Sequence, residues 1–252
     1  MSRYARIAGI AALLLVPGWA EATPSTTVGI MPSYFEGSFG TTGSTRIWYL
    51  PAYVDYRGSE FGLKATVPYL RVENQGALVS GGSVVGTSQT QTTESGLGDI
   101  WLKGTYTLHG SDGRPDIVPY LKIKLGTASV SKGLGTGQDD VEEGVELDWT
   151  MGRLFPFLTL GYREVGSSSA YALQNIVTYE GGGTYTLATS RFLTAMIAGH
   201  QSEQPGFAAA ADLIVAWNFS PPKGTGYGFY VDKGLSSGSP DYGLGIGLQN
   251  RF

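Results

Sequence analysis

The 252-residue sequence has no cysteine, few charged residues and, beyond its first 22 residues, no long apolar run. Without cysteine the chain cannot form disulfides, bind a metal through thiolates or carry the lipid of a lipoprotein. Charged residues make up 15%, against about 25% in an ordinary soluble protein. The nearest approach to an apolar helix, residues 207–217, is interrupted by Asp212, and a spanning helix needs about 18 apolar residues or more. These absences exclude a helical membrane protein.

The N-terminus has the three parts of a secretory signal peptide. Arg3 and Arg6 precede the apolar residues 7–16, and Ala20-Glu21-Ala22 provides an A-x-A cleavage site. We therefore predict a signal peptide over residues 1–22 and a mature domain over residues 23–252, exported from the cytoplasm of a bacterium. The formal net charge is −4 without a strongly basic or acidic block, so nucleic acid is not a predicted partner.

The rest of the composition favours strands over helices. Glycine is abundant, with 38 residues, and aromatic residues make up 12%. In lipid, every backbone polar group must be paired within the protein, which leaves a closed barrel as the architecture for a strand-rich chain. Alternating apolar residues mark twelve segments of the length that a tilted membrane-spanning strand needs. They cover residues 26–38, 45–57, 60–72, 97–108, 116–126, 141–151, 155–165, 174–187, 191–201, 208–219, 225–235 and 242–252.

The two faces of these strands differ in charge. The even positions of 48–56 and 100–108 and the odd positions of 61–69 and 117–125 contain no charged residue. The opposite face carries Asp55, Lys64, Asp99, Lys103, Lys122 and Lys124. A lysine or arginine facing lipid at mid-bilayer costs about 2–4 kcal/mol, so the uncharged face is predicted to contact lipid. Aromatic residues near the strand ends indicate two interfacial girdles, at Trp48, Tyr56, Phe61, Tyr69, Tyr106, Trp149, Trp217 and Phe219.

The connections alternate in length as they do in bacterial outer-membrane barrels. Residues 73–96 and 127–140 are predicted as long outer loops, whereas 58–59, 152–154 and 188–190 are short turns. With twelve strands, both termini are expected in the periplasm. A soluble β-sandwich or lipocalin-like barrel is the alternative, although its outward face should be more densely charged.

Three prolines lie inside predicted strands. Proline removes a hydrogen bond from the ladder and usually marks an edge or a bulge, so we expect bulges or kinks at Pro51, Pro68 and Pro119.

Three sequence stretches resemble a known family. They are SGLGDIWLKGTY at residues 95–106, KIKLGTASVSKGLGTGQDD at 122–140 and KGLSSGSPDYGLGIGLQNRF at 233–252. They look like the barrels of the "MetA-pathway of phenol degradation" family, and the similarity runs from about Leu50 to Phe252. The resemblance implies an outer-membrane barrel that passes small, often hydrophobic or aromatic compounds.

The last strand also resembles the C-terminal signal that the barrel assembly machinery reads. Phe252 is the terminal aromatic residue and Gly247 is the glycine of that signal, whereas Asn250 departs from the usual apolar residue. We therefore expect outer-membrane lipid and the assembly machinery as partners.

Charged residues on the inward face are the candidate functional residues. Lys64, Asp99, Lys103, Lys122, Lys124, Glu146, Asp148 and Arg163 are predicted to line the lumen, followed by Glu180, Asp212 and Asp232. Such charges can line a water path, or they can pair with each other and fill a narrow barrel.

Two further motifs have weaker functional interpretations. His200 and Ser202 share a strand face, as in outer-membrane phospholipases, but a third group to orient the histidine is missing, since Asn218 falls at the opposite end. Asp139, Asp140 and Asp241 follow glycine-rich loops in a spacing that matches no metal motif. We predict no cofactor and no enzyme activity.

Together these patterns predict an all-β protein, a transmembrane antiparallel up-and-down barrel of about 12 strands in the bacterial outer membrane. The predicted function is passive transport of small molecules, with selectivity set by inward charges and the two long loops. A closed structural or adhesion barrel is the main alternative, and a lipid hydrolase is the minor one.

Overall fold

A computed structural model describes residues 24–40, 43–80, 83–167 and 172–252, so the predicted signal peptide lies outside the described residues and stays a prediction. The described residues form strands and turns. Among them no helix is long and apolar enough to cross a bilayer. The strands are β1 (Ser25–Ile30), β2 (Ser33–Gly37), β3 (Thr45–Arg57), β4 (Phe61–Ser80), β5 (Ser83–Leu97), β6 (Ile100–Tyr106), β7 (Asp116–Leu125), β8 (Asp140–Asp148), β9 (Leu154–Glu164), β10 (Ile176–Ala188), β11 (Arg191–His200), β12 (Ala210–Phe219), β13 (Gly224–Gly234) and β14 (Tyr242–Arg251).

The strands close into one antiparallel barrel. Each strand from β7 to β13 pairs with its two sequence neighbours, and β14 closes the barrel by pairing with β1 and β2. β1 and β2 both pair with β3 and β14 in one register, so they are two halves of one barrel strand. β5 and β6 both pair with β4 and form a second such strand. The barrel therefore has twelve strands, which confirms the predicted fold class.

The break between β5 and β6 is a β-bulge. Leu97 pairs with Tyr69, and Trp101 pairs with Thr66. Three residues, 98–100, thus face only two on β4, 67 and 68. A bulge inserts one residue and re-aims the side chains that follow it. Here Leu97 points outward, whereas Asp99 and Trp101 both point inward.

The prolines correspond only in part to the predicted irregularities. Pro51 and Pro68 pair directly across β3 and β4, and Pro119 pairs with Val145 without a register shift. The bulge lies in the strand beside Pro68, whose carbonyl accepts a hydrogen bond from Gly98 N at 2.9 Å. A Cβ on Gly98 would come within 2.8 Å of the Leu70 side chain and 3.0 Å of Pro68, so a larger residue here would have to displace Leu70. The expectation of bulges at Pro51 and Pro119 was wrong, because their own ladders keep one register.

One of the two predicted long loops is a hairpin instead. β4 pairs with β3 as far as Asn74. It then continues to Ser80, which pairs with Ser83 at the start of β5. The prediction of a loop over residues 73–96 was therefore wrong. The serine, threonine and glutamine residues of this segment lack the apolar alternation that marks a strand in sequence. Residues 126–139 form the predicted second loop.

The outward face is apolar over the middle of the barrel. Its exposed side chains include Leu63 on β4, Leu160 on β9, Phe229 on β13 and Ile246 on β14. Of the charged outward residues, Arg46 and Lys233 lie near strand ends, whereas Glu143 lies inside β8 opposite Leu121. This distribution agrees with the predicted lipid-facing row.

Aromatic side chains gather at both ends of the outer surface. Phe61 packs on Tyr106 with ring centroids 4.9 Å apart at the short-turn end. At the loop end, Tyr34 packs on Trp48 at 4.8 Å. Amphipathic rings prefer the headgroup level, so these pairs occupy the positions expected of two girdles.

Candidate functional site in the barrel lumen

The barrel interior has two chemically different walls. Buried apolar side chains from β2–β4 and β11–β13 form one cluster, which includes Ile47, Tyr49, Tyr53, Leu70, Met196, Ile214 and Tyr230. The inward faces of β4 and β6–β10 instead carry Lys64, Lys103, Lys122, Lys124, Glu142, Glu146, Arg163 and Glu180. A molecule inside the barrel therefore meets an apolar surface on one side and charges on the other.

Strand register places three lysines directly opposite one another. Lys64 on β4 pairs with Lys103 on β6, and Lys103 pairs with Lys122 on β7. We call these three residues the basic row. Neighbouring strands lie about 5 Å apart, so the row spans about 10 Å around the interior wall. At each end of the row, the residue that pairs with the lysine on the next strand is an acid: Asp55 pairs with Lys64, and Glu142 pairs with Lys122.

Each ammonium group of the basic row lies over an aromatic ring. Lys64 Nζ is 4.9 Å from the ring centre of Tyr53, and Lys103 Nζ is 4.5 Å from that of Tyr120. Lys122 Nζ is 4.7 Å from the ring centre of Trp101. The negative face of an aromatic ring attracts a cation at such distances, so the rings hold the lysines along the wall.

Glu142 is the centre of a hydrogen-bonded cluster beside the basic row. Its Oε2 accepts from Arg163 Nε at 2.7 Å and also from Arg163 Nη2. Its Oε1 accepts from Tyr120 Oη at 3.0 Å and from Thr178 Oγ1 at 3.5 Å. Both carboxylate oxygens are thus engaged. Two charge-assisted hydrogen bonds from one guanidinium to a single carboxylate oxygen are stronger than neutral ones and fix the orientation of both side chains.

Two glycines make room for the tyrosine in that cluster. Tyr120 pairs with Gly144 on β8, which pairs with Gly161 on β9. A Cβ at Gly144 or Gly161 would come within 2.6 Å and 2.3 Å, respectively, of the Tyr120 hydroxyl. The ring can cross both strands to reach Glu142 only because neither has a side chain there.

The bulge residue Asp99 anchors the β7–β8 loop to the inner wall. Asp99 Oδ1 accepts from Ala128 N at 2.9 Å, and its Oδ2 lies 3.9 Å from Lys124 Nζ. Lys124 Nζ also pairs with Asp140 Oδ2 at 2.8 Å. In the same loop, Leu134 is fully buried in the apolar cluster. The loop at residues 126–139 therefore folds against the barrel wall.

The sequence-predicted residues all point inward, but they do not form a single site. Lys103 pairs with Glu146. Lys124 and Asp99 lie together at the anchor of the β7–β8 loop, and Arg163 belongs to the cluster around Glu142. Asp148 lies apart, opposite Asp116 at the short-turn end. Asp212 and Asp232 are buried on β12 and β13, next to the apolar wall. Whether these residues act in transport stays a prediction.

Sequence reasoning missed Glu142 and the role of Asp140. Both share the inward parity of Glu146 and Asp148, so the alternation could have identified them. The pairing of Glu142 with Arg163 depends on the register between β8 and β9, which periodicity alone does not give.

The geometry around His200 and Ser202 does not match a nucleophile and its base. Ser202 Oγ donates to Gln204 O at 2.8 Å and accepts from Gln204 N at 3.3 Å. His200 Nδ1 contacts Gln201 O at 2.6 Å. A nucleophilic serine must donate its proton to the histidine, and this hydroxyl donates to a backbone carbonyl instead.

The loop carboxylates are held by the protein itself. Asp139 Oδ1 accepts from Gly126 N at 2.8 Å, and Asp140 pairs with Lys124. Within the part of the chain that the structure describes, no group of three or more metal-binding side chains occurs.

The predicted assembly residues lie on the closing strand. Gly247 on β14 pairs with Gly228 on β13. Phe252 is 64% exposed at the end of the chain, and its N donates to Thr26 O at 2.9 Å. Recognition by the assembly machinery stays a prediction.

Comparison with known proteins supports the fold. No protein-family model matches the sequence, and no curated protein sequence does. The structure is similar to an outer membrane channel from Pseudomonas putida F1, with a TM-score of 0.72, 13% identity, and 94% of this chain and 100% of that chain covered. The translocator domain of the autotransporter NalP from Neisseria meningitidis is similar with a TM-score of 0.59 and 10% identity, and 99% of this chain and 95% of that chain are covered. The NanC porin is similar with a TM-score of 0.57 and 12% identity, and 88% of this chain and 98% of that chain are covered. This chain thus has the fold of outer-membrane β-barrels.

Proposed function

We propose that this protein is a passive channel through which small molecules cross the bacterial outer membrane down their gradient. The observation that carries the proposal is the charged interior wall, above all the basic row. Like charges directly opposite one another destabilise a sheet, and buried ion pairs are often no better for stability than apolar packing. A closed barrel would therefore gain no stability from these three facing lysines. In a transport path, inward charges can select which solutes pass.

Two further observations support this reading. The β7–β8 loop is tied to the inner wall through Asp99 and Lys124, where it can narrow and shape a path. Two of the similar folds are described as a channel and a porin. The resemblance of residues 95–106, 122–140 and 233–252 to the MetA-pathway of phenol degradation family supports hydrophobic or aromatic compounds as substrates.

The route to the membrane is part of the proposal. The signal peptide at residues 1–22 would direct export, and the barrel assembly machinery would read the last strand with Gly247 and Phe252. The exposed apolar side chains of the outer surface suit outer-membrane lipid as the surroundings of the folded barrel.

A closed structural barrel is the second candidate. The pairs Arg163–Glu142 and Lys124–Asp140 favour it, because they join neighbouring strands in the way that interior filling would.

Single-channel recording on the purified mature protein in planar bilayers distinguishes the two. We expect discrete openings, together with faster uptake of small solutes into vesicles that contain the protein. Silence of demonstrably folded protein in both assays would refute the channel and support the closed barrel.

A further inference from the structure

Arginines interact with the acids that lie beside the two ends of the basic row. Beside Lys64, Asp55 Oδ2 lies 3.4 Å from Arg57 Nε. Beside Lys122, Glu142 is occupied by Arg163 and Tyr120. Within the row itself, Lys103 pairs with the carboxylate of Glu146, and Glu180 on β10 interacts electrostatically with Lys103 and Lys122.

Lys64 has hydrogen-bonding capacity that no group among the described residues uses. Its Nζ is buried, and among the described residues it makes no hydrogen bond. An ammonium carries three N–H donors, and the ring of Tyr53 accepts none of them as an oxygen would. An oxygen anion placed beside Lys64 would therefore meet an unused donor and the field of two further lysines.

The surroundings of the row indicate what kind of anion fits. Tyr53 lies under Lys64 and also belongs to the apolar cluster, so the row borders the apolar wall. On the other side, the ring of Trp101 lies close to both Lys122 and Arg163, whose Cζ is 5.2 Å from the ring centre. A ligand here finds ammonium groups for its charge and aromatic surfaces for an apolar body.

We propose that Lys64, Lys103 and Lys122 form an anion-binding station in the lumen, which selects small aromatic or apolar carboxylates from among the solutes of the proposed channel. The inference builds on the proposed function by naming the charge and class of the solute. The carboxylate binds at the row by hydrogen bonds to the ammonium groups, and its apolar part lies along Tyr53 and the neighbouring wall. Binding is reversible and no bond is made or broken.

Benzoate binding to the folded mature protein in detergent tests the station without requiring conduction. The tryptophan fluorescence should change saturably with benzoate, and Trp101→Phe should reduce the signal. Benzyl alcohol, which has the ring without the charge, should bind at least about tenfold more weakly, because hydrogen bonds to a charged group are worth about that factor or more.

Variants of the row provide the controls. Lys64→Gln and Lys122→Gln should each weaken benzoate binding about tenfold, and Lys64→Arg should retain it. Lys233→Gln removes the same charge from the outer surface, where Lys233 Nζ donates to Asp241 O at 2.9 Å, and should bind benzoate as the parent does. Lys64→Gln should not lower the thermal unfolding midpoint, since it relieves repulsion within the row.

The outcomes separate the station from the channel. Benzoate binding that is absent, or that is unchanged in Lys64→Gln and Lys122→Gln, overturns the station even where the protein conducts. A lower unfolding midpoint in Lys64→Gln also overturns it, because the lysine would then be a structural partner. Row-dependent binding in a protein that never conducts supports the station and refutes the channel. In a conducting protein, reversal potentials under a KCl gradient should show anion preference that decreases in both variants.

Discussion

The outward and inward faces of β9 allow a sharp test of what surrounds the barrel. Leu160 lies near the middle of this strand and is 48% exposed on the outer surface. Thr159, its neighbour in sequence, points inward and pairs with Glu146 on β8 and Glu180 on β10. An arginine at position 160 would lie in lipid, whereas an arginine at position 159 would lie between two carboxylates.

The expected cost follows from this placement. Arginine facing mid-bilayer lipid costs about 2–4 kcal/mol, and about 1.4 kcal/mol corresponds to a tenfold change in an equilibrium constant. Leu160→Arg should therefore reduce the folding equilibrium constant about 30-fold to 1000-fold. Thr159→Arg should change the free energy of unfolding by less than about 1 kcal/mol, because its neighbours are acids.

Urea titration of the protein in phosphatidylcholine vesicles, followed by tryptophan fluorescence, measures both variants. Their m-values should match that of the parent, so that midpoints can be compared as stabilities. Equal costs for the two substitutions would refute the assignment of faces. A cost below about 0.5 kcal/mol for Leu160→Arg would refute contact with lipid at that position.

Two further predictions concern the interior wall. Glu142→Gln should lower the free energy of unfolding by about 2 kcal/mol, because it removes the charged acceptor of two Arg163 hydrogen bonds and leaves this buried guanidinium with the more distant carboxylate of Glu203. The double variant with Arg163→Gln should recover part of the loss in the same titration, and a cost in Glu142→Gln below about 0.5 kcal/mol would show that the pair does not contribute. Deletion of Asp99 should leave the barrel folded, judged by migration of unheated protein on a gel, because two residues would then face residues 67 and 68 and Lys103 would stay opposite Lys64. The β7–β8 loop, which loses the Asp99 carboxylate that accepts from Ala128 N, should be cleaved faster by an added protease; failure to fold, or unchanged cleavage, would contradict this account of the bulge.

Most of the barrel was predictable because strand periodicity is a local property. The two-residue alternation identified twelve strands and assigned Lys64, Lys103 and Lys122 to the inward face, since successive side chains in a strand always point to opposite sides. The hairpin at residues 73–96 was missed because its polar residues carry no such signal.

The amino-acid sequence by itself determined the class of fold, the number of barrel strands and which face of each strand is charged. Tertiary structure alone decided which inward residues meet: the three facing lysines, the pairing of Glu142 with Arg163 and the contact of the Asp99 side chain with the β7–β8 loop. Register between strands produces these contacts, and it is set by packing, turns and a bulge that involve residues far apart in the chain. A shift of one residue would leave the composition of every strand unchanged and separate the lysines.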